Sequence, residues 1–291
     1  MPRPHQLVDS VETKDGLLEL RRRGDQDFMI LINSRVLMTS YITSSELFLA
    51  ESGCANVAHK SQPRVLIGGL GLGFTLRAAL DVLPRKAQVI VAELNPKVID
   101  WCRGPVAAAN GGAALDRRVE FFMGDVMSLI TQTAEHDARP RFDAILWDLY
   151  VGPTRKGGTN DLLYGDHSVQ LVARALEVGG VFGVWGETPS PAFEERLKKY
   201  GFAPELHRPG GGGLKHAVYL AEKRRKAPRA AQALAVPPAA AASAAKPLVS
   251  SQARSPSQAR STSQASGSSQ GLRRPLPKAQ KRSPPSKKVR T

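Results

Sequence analysis

From Arg64 onward the chain repeats one pattern, in which a short apolar run is followed by a stretch whose apolar residues recur at helical spacing. RVLIGG precedes FTLRAALDVL, AQVIVAEL precedes NPKVIDWCRG, RVEFFMGD precedes VMSLITQT, FDAILWDLY precedes HSVQLVARALEV, and VFGVWGE precedes SPAFEERLKKYG. Uninterrupted apolar strands alternating with amphipathic helices predict a parallel sheet buried on both faces, doubly wound, with each crossover made by a helix. PELHRP and HAVYLAEK, separated by GGGGLK, predict a closing antiparallel hairpin, with the glycine run from Gly210 as a flexible turn.

Ahead of this body, GLLELRRRG and DFMILINSRVLMTS are rich in β-forming residues and separated by the turn-prone GDQD, which predicts a small antiparallel sheet. TSSELFLAESGCANVA then carries Thr43 and Glu46 at capping-box spacing, predicting a helix that leads into the main fold. The expected organisation is a small β-hairpin region with a helix over residues 1–60, an α/β domain over 61–222 and a tail over 223–291.

Charge separates the tail from the rest. The 291 residues carry 41 Lys and Arg against 26 Asp and Glu, a formal charge of +15. From Lys223 on there are 16 basic residues and no acid, which leaves the body with 25 basic and 26 acidic residues. The tail is dominated by Pro, Ser, Ala and Gln, has too little bulky apolar surface to offset ordering entropy, and is expected to be disordered. Such a polycation suits weak, sequence-independent binding of nucleic acid or a purely solubilising role, and without aromatic residues it cannot stack bases.

Cys54 and Cys102 have no C-x-x-C spacing and no histidines beside them, which argues against a disulfide framework or a metal site and for buried thiols. The opening MPRPHQLVDS has no apolar signal core and no run approaches a membrane span, so a soluble cytoplasmic protein is expected.

In doubly wound sheets, ligands bind where the carboxyl ends of the strands meet the switch in strand order. Those ends carry the turn Gly68–Gly73, then Glu93, Asp125, Asp148 and Glu187. Gly69, Gly71 and Gly73 spell G-x-G-x-G, with Leu76 where a dinucleotide fingerprint wants its last glycine, and no G-K-S/T follows as a phosphate loop requires. The turn matches that of adenosylmethionine proteins, in which backbone without side chains lies against the amino-acid part of the cofactor. Glu93 is placed to accept from ribose hydroxyls, as it would also be in an NAD enzyme, and Asp125 in G-D-V to accept from an adenine amino group. Trp147, Trp185, His167, His207 and His216 read as packing or capping residues.

With these residues in place, the run from Val65 to Ala221 resembles the spermidine synthase family, a branch of the class I adenosylmethionine-dependent transferases. The matches are the glycine turn with Leu76 and Arg77, Glu93 before a helix, Gly124 with Asp125, FDAILWD ending at Asp148, LLYGDHSVQLVARAL, and Gly186 with Glu187. The N-terminal hairpins resemble that family's small β-domain, which extends the likeness from about Gly16 to Glu222.

The resemblance implies a class I methyltransferase-like fold, decarboxylated adenosylmethionine as co-substrate, a polyamine such as putrescine as acceptor, and a homodimer. It also implies that Asp148 takes the proton of the attacking amine. From the residues themselves, Tyr150, Tyr164 and Glu187 read as substrate-binding candidates. Two departures stand out. Gly71, flanked by Leu70 and Leu72, occupies the place of the aspartate that holds the family's propylamine, and the loop D-S-S-D-P reads D-L-Y-V-G-P, without its second aspartate. Three readings stay open: aminopropyl transfer in polyamine synthesis, adenosylmethionine-dependent methylation of another acceptor, and a catalytically weak nucleic-acid-associated protein.

Overall fold

The computed structural model describes residues 4–154, 161–210 and 216–225. The glycine run beyond Gly210 and the basic tail beyond Arg225, with their expected flexibility and nucleic-acid binding, lie outside the described residues.

The chain opens with a four-stranded antiparallel sheet of β1 (Gln6–Thr13), β2 (Gly16–Arg23), β3 (Asp27–Ile32) and β4 (Arg35–Thr39), paired in sequence order. The run DFMILINSRVLMTS is therefore two strands. Asn33 and Ser34 turn the chain with φ of 48° and 65°, a left-handed pair of the kind a tight hairpin needs. The Asn33 side chain accepts from Leu17 N–H at 3.0 Å and donates to the Asp15 carbonyl at 3.1 Å, so one residue ties two turns together. β1 was not expected from the sequence, because it is an edge strand whose Leu7 and Val8 are largely exposed and whose face carries no buried residue.

Helix α1 (Ser44–Ala55) leads into a seven-stranded sheet. Its strands are β5 (Arg64–Gly68), β6 (Gln88–Glu93), β7 (Val119–Met123), β8 (Phe142–Trp147), β9 (Leu176–Gly186), β10 (Phe202–His207) and β11 (Ala217–Lys223). The order is β10-β11-β9-β8-β5-β6-β7, parallel from β9 to β7, with β11 antiparallel to both its neighbours. The crossover helices are α2 (Phe74–Val82), α3 (Pro96–Arg103), α4 (Val126–Glu135), α5 (Asp166–Ala175) and α6 (Pro191–Lys199). This is the expected doubly wound sheet with a closing hairpin.

Alternation along each buried strand divides the core between the two faces. Val65 and Ile67 of β5 join Val89, Val91 and Leu146 beneath α1, α2, α3 and the inner side chains Leu20, Phe28 and Ile30 of the small sheet. Leu66 faces the other way, with Ile90, Ile145, Phe182 and Val184, beneath α4, α5 and α6. Each fully buried Leu, Ile or Phe contributes about 1.5–3 kcal/mol, so both layers hold the strand ends in place. Among the described residues no helix is long and apolar enough to cross a membrane.

The order places the switch between β5 and β8, where the chain leaves for β6 and β7 and returns on the other side. Asp148 N–H donates to the Gly68 carbonyl at 2.9 Å across this switch, so the glycine turn and the residue after β8 share one corner.

Candidate functional site

The glycine turn is built by opposite demands on alternate residues. Gly69, Gly71 and Gly73 have φ of 87°, 52° and 83°, a region that residues with a Cβ rarely enter. Leu70 and Leu72, 2% and 0% exposed, insert into the core and anchor the turn from below. Space adds a second reason for glycine: a Cβ on Gly69 would stand 2.5 Å from the Asp148 carbonyl oxygen. The Cys102 thiol donates to the Gly71 carbonyl at 3.2 Å, and burial pushes its pKa up to about 12, so it is a structural thiol at neutral pH.

Met38 of β4 lies over this turn. Its Sδ accepts from Leu72 N–H at 3.2 Å, and a Cβ on Gly71 would meet the same sulfur. The small sheet thus reaches the corner of the large one, through a residue that sequence reasoning missed because an apolar strand residue carries no chemical signal.

Glu93, at the end of β6, accepts from Leu70 N–H and from Asn95 N–H, each at 2.9 Å. Burial raises its pKa and these backbone donors oppose the rise, so the carboxylate clips the glycine turn to the next strand. Asp125 stands one strand further, at the N-cap of α4, where one oxygen accepts from Met127 N–H at 2.9 Å and the side chain faces solvent. Capping is its local role, and its second oxygen has acceptor capacity to spare.

Asp148 is half-buried beside the turn, and its Oδ2 accepts from the Thr75 hydroxyl at 2.5 Å. Burial, and then the nearby negative charge of Glu46, push its pKa up to about 7, against the Thr75 hydrogen bond. Among the described residues it has no ion-pair partner. A carboxylate poised near neutrality at a switch point is suited to accept a proton.

Glu46 and Thr75 are further residues that the sequence reading did not place here. The expected capping box does not form: the Thr43 side chain makes no cap bond, and Glu46, 6% exposed, turns inward. There it accepts from the Ser45 hydroxyl at 2.6 Å, while Ser45 Oγ accepts from Trp185 Nε1 at 3.2 Å and stands 3.0 Å from His216 Nδ1. Trp185 and His216 pack edge to face with ring centroids 4.9 Å apart. A signal for Glu46 was present: with Leu49, Ala50 and Gly53 it completes the i, i+3, i+4, i+7 stripe that α1 buries, so it belongs to the inward face.

The remaining candidates sit apart from this corner. Tyr164 is 2% exposed, packs edge to face on Trp147 and Phe193, and donates its hydroxyl to the Val151 carbonyl at 2.7 Å. It fastens the loop after β8 from inside. Tyr150 in that loop is 51% exposed. Glu187, beyond β9, pairs with Arg35 of β4 at 2.8 Å on the surface.

No family model matches the chain. It is 29% identical over 179 residues to the polyamine aminopropyltransferase of Sodalis glossinidius, covering 58% of this chain and 59% of the relative. It is 27% identical over 192 residues to polyamine aminopropyltransferase 1 of Pseudomonas aeruginosa, covering 62% of this chain and 63% of the relative. The matched part therefore spans about three fifths of those relatives. Among solved structures, a spermidine synthase in complex with the transition-state analogue AdoDATO superposes with a TM-score of 0.58 at 18% identity, over 75% of this chain and 72% of that one. The spermidine synthase of Thermotoga maritima gives 0.57 at 19% identity over the same shares. With β11 reversed beside β9 and a small antiparallel sheet in front, the chain shares the fold of the spermidine synthases and is similar in sequence to polyamine aminopropyltransferases.

Proposed function

We propose that this protein is a group transferase that moves an alkyl group from an adenosylmethionine-type sulfonium, the decarboxylated form in the first instance, to an amine, as in polyamine synthesis. The observation that carries the reading is Asp148: an acid with its pKa raised to about 7, on the switch point, backed against a left-handed glycine turn. The relatives named above support an aminopropyl group and a polyamine acceptor.

The residues present fit such a co-substrate. Gly69, Gly71 and Gly73 offer backbone without side chains, Glu93 offers a carboxylate for the ribose, and Asp125 an acceptor for adenine. When bound, the sulfonium supplies an electrophilic carbon whose bond to sulfur breaks, the electron pair returning to sulfur, as the new bond to nitrogen forms. The chain's task is to position and deprotonate the acceptor. An alkylamine has a pKa near 10 and arrives as a cation. Asp148 attracts that cation, and burial of the carboxylate lets it take the proton that frees the nitrogen lone pair. Thr75 holds Oδ2 in place, and Tyr164 acts at one remove by fixing the Val151 carbonyl. Tyr150 and Glu187, which lie apart from this corner, are kept in the proposal as contacts for the far end of an acceptor, and a homodimer belongs to the same proposal.

Methyl transfer is the second reading, favoured by a turn in which Gly71, between the buried Leu70 and Leu72, offers no acid for a propylamine. Calorimetric titration with adenosylmethionine and with its decarboxylated form separates the two. Tight binding of the decarboxylated form, with transfer to putrescine lost in Asp148→Asn, supports aminopropyl transfer. Selective binding of the carboxylated form turns the assignment to methylation, and binding of neither sets both aside. Sedimentation of the purified protein tests the homodimer.

A further inference from the structure

Backbone N–H groups are strong donors, and the glycine turn gives its own very unequal partners. Gly69 N–H goes to the Ala92 carbonyl at 2.9 Å, Gly73 N–H to the Leu70 carbonyl at 2.8 Å, and Leu70 N–H to the Glu93 carboxylate at 2.9 Å. Leu72 N–H has a thioether, the Met38 Sδ at 3.2 Å, which is a weak acceptor. The Leu72 carbonyl is held separately, by Asn110 Nδ2 at 3.0 Å. Gly71 and Met38 are half-buried, whereas Leu70, Leu72 and Gly73 are buried, so the weak bond lies where the turn meets solvent.

This contact depends on residues from both sheets. A side chain at position 71 would run into the Met38 sulfur, so Gly71 leaves the space that the thioether fills. From the other side the Cys102 thiol holds the Gly71 carbonyl at 3.2 Å, which fixes the turn between two sulfurs. Met38 pairs with Ile30 next to the break in register between Ile30 and Leu31, and irregularities of this kind re-aim a strand side chain.

The thioether changes what the turn offers. Uncovered, Leu72 N–H is a donor suited to a carboxylate, and hydrogen bonds to an ion are about twice as strong as neutral ones. Covered, the same point presents sulfur lone pairs, which repel a carboxylate and can accept from an ammonium. We infer that Met38 is a specificity-determining residue, which selects the decarboxylated co-substrate over adenosylmethionine by withholding Leu72 N–H from a carboxylate. This rests on the group-transfer reading above and names what tells apart the two co-substrate forms, which differ in that one group. Specificity is a difference of two affinities, and here it is gained by denying the wrong form a partner. A turn with glycine at position 71 can then serve the decarboxylated form without an acid.

The test is calorimetric titration of the full chain with adenosylmethionine and with its decarboxylated form, for wild type, Met38→Ala and Met38→Leu, with thermal melts of each. Expected for the wild type is tighter binding of the decarboxylated form. Met38→Ala should gain about tenfold or more in affinity for adenosylmethionine, the scale of one hydrogen bond to a charged group, and change by less than about threefold for the decarboxylated form. Met38→Leu keeps the bulk of the cover but not its lone pairs, so it should gain in the same direction by a smaller factor, and it decides the matter where Met38→Ala does not fold. No gain for adenosylmethionine in a folded variant overturns the inference alone. Equal loss of both forms overturns it in favour of a structural role for the sulfur. A wild type that prefers adenosylmethionine overturns it and turns the reading to methylation, and one that binds neither form overturns the group-transfer reading and the inference together.

Discussion

The two ends of strand β8 carry the same residue type in opposite states. At the amino end Asp143 sits in the sheet beside a basic cavity of about 450 Å³ lined by Lys60, Arg64 and Arg141. Its carboxylate takes the Lys60 ammonium at 2.5 Å and the Arg64 N–H at 2.7 Å, and Arg64 itself reaches the Pro140 carbonyl. At the carboxyl end Asp148 has a hydroxyl for company and another acid for a neighbour. The difference separates a structural acid from a candidate functional one: an acid whose partners are all supplied by the chain has nothing left to bind, whereas one placed without an ion-pair partner keeps its capacity for a ligand.

The sharpest way to break this comparison is to remove each acid in turn. Asp148→Asn keeps shape and hydrogen bonding but cannot accept a proton, and the expected loss in kcat is about 10²–10⁴-fold with co-substrate binding intact, measured by product formation and calorimetry. Asp143→Asn should do the reverse. It leaves the partly buried Lys60 ammonium without its acid, at a cost of about 1–3 kcal/mol in chemical denaturation, while kcat stays near wild type. Equal effects of both on turnover would erase the distinction between the two ends.

The pH dependence of stability sharpens the same contrast. Folding holds the Asp148 proton to about pH 7, while the unfolded chain releases it near 3.8. Over that window the unfolded state binds fewer protons, so stability falls as pH rises, with a slope of at most about 1.4 kcal/mol per unit from this group. Asp148→Asn removes the fall and should melt higher than wild type above pH 7. Glu46→Gln should act in the same direction, since burial raises its pKa above the usual carboxylate value, against the Ser45 hydrogen bond and the charge of His216. Thermal melts from pH 5 to 9 without ligand measure this, and parallel curves for wild type and both variants would refute it.

How much of this was legible in the sequence follows from how far each residue's environment is local. β5, β6, β8 and β9 could be read because strands buried on both faces must be apolar throughout, and the turn could be read because three glycines in a left-handed path admit few substitutes. The acids at Glu93 and Asp148 came with the strand ends. β1 was hidden because an edge strand has little to bury, and the hairpin at Asn33–Ser34 because no glycine marks it. Glu46 was visible but assigned to a local cap, and the contact that claims it comes from residues far along the chain, at Trp185 and His216. Asp125 shows the converse, a ligand candidate whose local role as a cap is satisfied as well.

The smallest expected effect concerns Tyr164, which touches neither acid yet governs the loop that follows Asp148. Its hydroxyl is buried and bonded to the Val151 carbonyl, and its ring is wedged between Trp147 and Phe193. Tyr164→Phe keeps the ring and leaves the carbonyl without its donor, for a loss of about 1 kcal/mol. Because the carbonyl belongs to the loop and not to the sheet, part of that loss should appear as loosened positioning: a fall in kcat of a few fold, with KM for the co-substrate unchanged. If Tyr164 instead gave its hydroxyl to the substrate, the fall would be larger and KM for the amine would rise with it. Measuring kcat and both KM values for this one variant therefore decides whether the residue serves the loop or the ligand, and with it whether the chemistry proposed at the carboxyl end of β8 reaches beyond Asp148.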